Sequence, residues 1–265
     1  MVTHLIDIAV NLASSQFKEN QSEIIARAHN ANVTAMIALG CNLTSSEQAL
    51  SFAKTFPGSV YATAGIHPHD ASSFTASTTN SLKFLADQPE VVAIGECGLD
   101  YNRDFSPRDQ QRHAFEQQLQ LAIELELPVI THQRDAHDDF IEILARYRSR
   151  LTNVVLHCFT GTESELLDCI ELDLHIGITG WICDERRGLE LQRIVKLIPD
   201  NRLMLETDAP FLLPRNMRPK PKSRTNEPAF LPHIAQDIAN ARQQDLASLL
   251  DYCYKNTVEF FNLDQ

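Results

Sequence analysis

No stretch of this 265-residue chain holds the roughly 18 consecutive apolar residues that a membrane-spanning helix needs. The N-terminus has no basic segment followed by an apolar block, so no signal peptide is read there and the cytoplasm is the expected compartment. None of Cys41, Cys97, Cys158, Cys169, Cys183 and Cys253 forms a C-x-x-C pair, which argues against a zinc ribbon or a thioredoxin-like site and fits a reducing compartment. Cys97 and Cys158 read as small buried filler. No G-x-G-x-x-G follows an apolar run, which disfavours an open doubly wound sheet. Linkers rich in Pro, Gly and Ser are missing, and TASTTN (75–80) is only a polar loop, so residues 1–265 read as a single domain. Positive charge is also scarce. Lys and Arg number 23 against 35 Asp and Glu, a net charge of -12, which argues against a protein that coats nucleic acid non-specifically. It leaves room for an enzyme that grips a few phosphates locally.

What is present is a repeated pattern. Hydrophobic residues make up 43% of the chain, and strand-length apolar runs fall at 4–10, 33–39, 60–64, 91–94, 128–131, 154–156, 174–178 and 203–205. Several are continuous rather than alternating, as in parallel strands covered on both faces. Helical signals lie between them. Ser106-Pro107 reads as a capping hydroxyl followed by proline at the first helical position, ahead of Phe115, Leu119, Ala122 and Ile123 on one face. Thr162 and Glu165 form a capping box, and Ser22, Ile24, Ile25 and Ala28 mark another helix. Strands alternating with helices in this number predict an α/β fold, a (β/α)8 TIM barrel.

In such a barrel the chemistry collects at the C-terminal ends of the strands. The residues just after the runs are then informative. Gly65-Ile66-His67-Pro68-His69-Asp70 follows the third, and Glu96 follows Gly95 at the end of the fourth. Thr131-His132 closes the fifth, His157 follows the sixth, and Glu206-Thr207-Asp208 follows the eighth. A carboxylate costs several kcal/mol to bury without a partner. Imidazoles and carboxylates brought to one mouth form a ligand set for a divalent cation, whose charge offsets the desolvation of Glu96. Zn, Mn and Fe suit mixed His and carboxylate donors, and Mg suits a site with more oxygen and water. Pairing of Glu96 with Arg134 or Arg103 is the simpler alternative. His4 and His175 sit at strand starts or interiors and read as structural, while His29, His113, His137 and His233 read as helical or loop residues without a role.

The few cations are placed unevenly. RNMRPKPKSR (215–224) carries Arg215, Arg218, Lys220, Lys222 and Arg224 with no acidic residue, stiffened by Pro219 and Pro221 and preceded by Pro214. It follows the eighth strand and should overhang the mouth. Arg186 and Arg187, Arg134, Arg103 and Arg108 follow other strands. A stiff cationic rim above a metal centre suits a phosphate ester and reconciles an acidic chain with an anionic substrate.

Several ordered segments resemble the TatD-type metal-dependent deoxyribonucleases, a branch of the amidohydrolase-like TIM barrels. They are AGIHPHD (64–70), AIGECGLDYNRDFS (93–106), ITHQRDAHDDF (130–140), LHCFTGT (156–162), IGITGWICDERRGLEL (176–191), LETDAPFLLPR (205–215) and RTNEPAFLP (224–232). Together they span nearly the whole chain. The resemblance implies metal-dependent hydrolysis of phosphodiester bonds, 3′→5′ exonuclease action on single-stranded DNA and RNA, and a setting in DNA repair. It implies Glu96, His132 and His157 as metal ligands and Asp208 as a ligand or the base that activates water. His67 is implied to contact substrate phosphate or complete the site, with Glu206 a further catalytic candidate. His69, Arg134, Arg215, Arg218, Lys220, Lys222 and Arg224 are the candidate substrate contacts, with Trp181 or Tyr101 as stacking surfaces.

One departure stands out. Many members of the wider family open with Asp-x-His-x-His on the first strand, whereas this chain reads Asp7-Ile8-Ala9-Val10-Asn11. An amide oxygen from Asn11 is a harder and weaker ligand than imidazole. The expectation is one or two divalent ions, with Mg²⁺ ahead of Mn²⁺ and Zn²⁺. Partners other than the nucleic acid are not implied. A hydrolase of a small ester, lactone or amide on the same barrel, or a non-catalytic binding protein, are the alternatives. Metal-dependent turnover of single strands separates all three.

Overall fold

The computed structural model describes residues 4–17 and 20–263. Eight strands pair in sequence order, all parallel: β1 (Leu5–Val10), β2 (Val33–Ala38), β3 (Val60–Ala64), β4 (Val91–Asp100), β5 (Val129–Arg134), β6 (Val154–Leu156), β7 (His175–Ile178) and β8 (Leu203–Leu205). A parallel bridge between Val10 and Ala209 brings the end of β8 back to β1, with Asn11 donating to the Ala209 carbonyl at 2.8 Å and Asp208 to that of Ala9 at 3.0 Å. The result is a single-domain (β/α)8 barrel.

The apolar runs alternate between two buried layers. Along β2, Val33, Met36 and Ala38 join the layer under the helices, while Ala35 and Ile37 join Ile6, Ile8, Val92, Ile130, Val155 and Met204 in the other. Both faces of each strand are therefore dry, which is why the runs are continuous in sequence.

β4 differs from the sequence expectation. The apolar run stops at Gly95, but the strand continues to Asp100, and Glu96 lies inside it, not after it. From Val91 to Asp100 every residue is buried. The extension pairs with an equally prolonged β5, Gly98 opposite His132 and Asp100 opposite Arg134. Gly98 makes this close approach feasible. Its φ is +140°, and a Cβ there would fall 2.0 Å from the His132 carbonyl oxygen.

Nine helices, α1 (Gln21–Asn30), α2 (Leu43–Thr55), α3 (Ala76–Ala86), α4 (Arg108–Leu125), α5 (His137–Tyr147), α6 (Glu163–Glu171), α7 (Leu189–Ile194), α8 (Leu231–Arg242) and α9 (Leu246–Phe261), are found among the described residues. The Thr162–Glu165 capping box opens α6 as expected: Thr162 Oγ1 accepts from the Glu165 amide, and Glu165 Oε2 accepts from the Thr162 amide at 2.6 Å. The Ser106-Pro107 expectation needs correction. Helix α4 begins at Arg108 with Pro107 as its cap, and the Ser106 hydroxyl is used elsewhere, donating to the His69 carbonyl at 2.8 Å and accepting from the Ser72 amide at 3.0 Å. Ser106 thus ties the start of α4 to the segment after β3. Among the described residues no helix is long and apolar enough to cross a membrane.

Candidate metal centre and substrate cleft

Three imidazoles meet one oxygen. Glu96 Oε1 lies 2.8 Å from His157 Nε2, 3.1 Å from His132 Nδ1 and 3.3 Å from His67 Nε2. These side chains come from β4, from β5, and from the segments that follow β3 and β6. Neither Arg134 nor Arg103 pairs with Glu96. Arg134 donates to Thr160 Oγ1 at 2.7 Å instead. Burial alone would raise the Glu96 carboxyl, but His157, His67 and His132 together hold it well below the usual range. Burial likewise works against charge on His157, yet Glu96 and Glu206 carry it well above an ordinary histidine.

The donor set fits a divalent cation. Ligand atoms of His67, Glu96 and His132 lie within 4.8 Å of one another, and His157 reaches the same carboxylate oxygen. Three ring nitrogens crowd a single carboxylate oxygen, and His132 Nε2 is buried without a hydrogen-bond partner. The expected Glu96, His132 and His157 thus lie together, and His67 joins them at the same carboxylate oxygen.

The ring of His67 is oriented by its own turn. Its Nδ1 accepts from the His69 amide at 3.1 Å, so the neutral ring carries its proton on Nε2, the nitrogen that faces Glu96. His67 is thereby set as a donor. His69 lies further out, its Nε2 2.7 Å from Asp100 Oδ2 and its ring edge-on to Phe105.

Asp208 stands beside the trio. Its Oδ1 accepts from Asn11 Nδ2 at 3.0 Å. Burial pushes its carboxyl up to about 7, with Glu96 adding to the rise and His157 opposing it. Asn11 therefore turns its amide nitrogen to Asp208, while its oxygen faces the Cys41 thiol at 3.7 Å. Glu206 is fully buried behind His157, accepts from the Cys158 amide, and places Oε2 3.4 Å from His157 Nδ1.

A cleft of about 340 Å³ opens over this centre, lined by His132, Arg134, Cys158, Trp181, Asp208 and Phe211 among others. Trp181 is flanked by cations, with Arg187 4.3 Å and Arg134 5.6 Å from its ring. Tyr101 does not line this cleft; its hydroxyl donates to Asp139 at 2.6 Å, and Arg108 covers its ring. A second cleft of about 570 Å³ adjoins Asn11 and Cys41 on the other side, and Phe211 lines both.

The segment 215–224 borders its own cleft of about 620 Å³ next to the mouth. Its cations are not equivalent. Arg215 faces Asp184 at 3.6 Å and Glu185 at 3.4 Å, and Arg218 donates to the Met217 carbonyl at 2.7 Å. Lys220, Lys222 and Arg224 are exposed and have no ion pair among the described residues.

Three residues of the site do not stand out in the sequence. Asp100 is buried and held well below the usual carboxylate range by His132 and His69 against the opposing effect of burial. Its signal is the two-residue alternation Glu96, Gly98, Asp100 along one face of β4. Cys41 lies 3.5 Å from Glu96 Oε2. Phe211 is a large apolar side chain left 46% exposed at the junction of two clefts. Of the two cysteines read as filler, Cys97 is buried in the core layer, whereas Cys158 is partly exposed and lines the cleft.

A barrel that gathers imidazoles and carboxylates at the C-terminal mouth of its strands, under a cleft with cationic walls, has the architecture of a hydrolase built around a metal-ligand set. Within that class the chain belongs to the TatD related DNase family, whose model matches residues 6–262. Curated relatives include the 3′-5′ ssDNA/RNA exonuclease TatD of a Pantoea species, 52% identical over 98% of this chain and 100% of the relative, and that of Erwinia billingiae, 51% identical over 98% and 99%. Among solved structures, a TatD homologue from Escherichia coli superposes with a TM-score of 0.90 at 25% identity over the full length of both chains. A TatD family hydrolase from Entamoeba histolytica, at 23% identity and a TM-score of 0.87, shares the fold.

Proposed function

We propose that this protein hydrolyses phosphodiester bonds of single-stranded DNA and RNA from the 3′ end, with a divalent cation held by Glu96, His132 and His157. The observation that carries this reading is the convergence of three imidazoles on Glu96 Oε1 beneath a cleft walled by arginine and aromatic side chains. The substrate and polarity follow the names of relatives about half identical over nearly the whole chain. When bound, the cation supplies Lewis-acid activation of phosphate and water. Mg²⁺ is the expected ion because the first strand offers Ala9 and Asn11 in place of an imidazole pair, and Mn²⁺, which shares the preference for oxygen ligands, is its nearest substitute.

The side chains divide the remaining work. Asp208, with its carboxyl near neutrality, accepts the proton of the attacking water. His67 presents Nε2–H to a phosphate oxygen as negative charge grows there. Glu206 fixes the ring of His157 and is a positioning residue. Phe211 and Trp181 offer faces to the terminal bases, and Arg134 shares their cleft 5.6 Å from the Trp181 ring. Lys220, Lys222 and Arg224, free of acidic partners, hold the phosphates of the entering strand. Free cysteines throughout fit action in the cytoplasm.

The test is a timed digest of 3′- and 5′-labelled single strands, first with chelator and then with Mg²⁺, Mn²⁺ or Zn²⁺ restored. Mononucleotide release from the 3′ end only after metal addition supports the reading. Metal-independent cleavage, or none on any strand, overturns it.

A further inference from the structure

On the far side of the turn that carries Trp181, a second cluster of metal-ligating side chains is unused by the proposed reaction. Cys183 ends the short 3-10 turn Gly180–Cys183 after β7 and is buried against α8. From α8, one helical turn apart, come His233 and Asp237, their Nε2 and Oδ2 4.0 Å from each other. Ligand atoms of all three lie within 4.8 Å of one another. The cluster is reachable, since the side chains of His233 and Asp237 keep 32% and 21% of their surface exposed.

We propose that Cys183, His233 and Asp237 form a second site for a thiophilic divalent cation of the Zn²⁺ class, separate from the Glu96 centre. The donor types point to that class. One thiolate, one imidazole and one carboxylate from two elements match the mixed S, N and O set that Zn²⁺ accepts in tetrahedral geometry, at about 2.0 to 2.3 Å from each donor. Mg²⁺ and Ca²⁺ prefer all-oxygen shells and would not compete. A fourth donor is at hand. Asn216, the second residue of the cationic segment, places Oδ1 2.7 Å from His233 Nε2 and donates from Nδ2 to Asp237 Oδ2 at 2.6 Å. The Cys183 thiol faces Asp237, their ligand atoms within 4.8 Å. Binding replaces that thiol proton, which leaves to solvent as the Cys183–metal bond forms.

Such an ion would join three parts of the rim: the turn bearing Trp181, helix α8, and the start of segment 215–224. Its role is to fix the aromatic and cationic walls of the mouth from behind, without touching the reaction centre.

The experiment uses the full-length protein, stripped with chelator and titrated with Co²⁺ and then Cd²⁺, with thiolate-to-metal charge-transfer absorbance as the readout. The band should appear within two equivalents in the wild type and with one in Glu96→Gln. Cys41→Ser should keep it, because Cys41 is the thiol beside the other centre. Cys183→Ser should lose it, together with the rise in melting temperature that Zn²⁺ confers on Glu96→Gln. His233→Ala, a change at a half-exposed position that keeps the buried thiol, should weaken binding by about tenfold or more even if Cys183→Ser folds poorly. A wild type without the band, a band that survives Cys183→Ser, or one lost only in Cys41→Ser overturns the proposal and leaves the nuclease reading untouched.

Discussion

Glu206 stands behind His157 with Oε2 3.4 Å from Nδ1, while Nε2 of the same ring faces Glu96 at 2.8 Å. One imidazole thus lies between two buried carboxylates, and Glu206 helps to raise its basicity. Gly177 leaves the room for this, because a Cβ there would fall 2.8 Å from both Cδ and Oε1 of Glu206. We predict that Glu206→Gln lowers Mn²⁺ affinity by about 10- to 100-fold with little change in KM for single-stranded DNA. Gly177→Ala should act in the same direction by displacing the carboxylate. Calorimetric Mn²⁺ titrations beside steady-state kinetics check both.

Glu96 and Asp208 should separate by readout. Glu96→Gln removes the negative charge on which the imidazoles converge, so metal binding and turnover should both be lost. Asp208→Asn removes only the proton acceptor, and turnover should fall by about 10² to 10⁴ with metal affinity retained. The metal-free melting temperature of Asp208→Asn should stay near that of the wild type, since a carboxyl raised to about 7 by burial stabilises the fold little when ionised. Metal titration and thermal melts of the two variants distinguish these outcomes.

The limits of the sequence follow from the same residues. Eight strands were legible because both faces of each are dry, so apolar residues run together. The prolongation of β4 was not, because ECGLD is polar and glycine-bearing; it is buried only because β5 is prolonged beside it and its acidic side chains turn into a shared site. Glu96, His132 and His157 could be placed at one mouth from strand ends alone. The pairing of Asp100 with His69, the donor set of His67 and the thiol of Cys41 beside Glu96 depend on backbone turns of one or two residues, which apolar periodicity does not encode. Likewise the acid-free look of segment 215–224 hid the pairing of Arg215 with Asp184 and Glu185, which come from a different loop.

That pairing divides the cationic segment into anchors and contacts. Lys220→Ala, Lys222→Ala and Arg224→Ala should raise KM for single strands and leave kcat nearly unchanged. Each should reduce the slope of log affinity against log salt by about 0.7, the share of one phosphate contact on a single strand. Arg215→Ala, which loses acidic partners along with its charge, should change the slope less. Fluorescence anisotropy across a salt series on inactive Asp208→Asn measures this directly.

Phe211 borders both clefts beside the metal centre. Its exposed ring has the position of a stacking platform, and Phe211→Ala should weaken binding of a short single strand by about 1 to 3 kcal/mol. Phe211→Tyr should restore it. A loss in both, or in neither, would make the ring a packing group only.

Acid sensitivity of the fold should trace in part to His175, far from the mouth. Its ring packs edge-on to Phe260 of α9, and Nδ1 is buried without a hydrogen-bond partner. Burial first, and Arg202 second, lower it from 6.5 to about 4. The unfolded chain therefore binds a proton between these values while the folded one does not, so stability rises with pH across this window and is lost as pH falls from about 6.5 towards 4. The full loss attributable to this ring is about 3 kcal/mol. His175→Leu keeps the apolar contact and removes the titration. Urea midpoints at pH 7 and pH 4.5 should then differ less for His175→Leu than for the wild type, and equal differences would move the acid sensitivity to the carboxylates of the mouth.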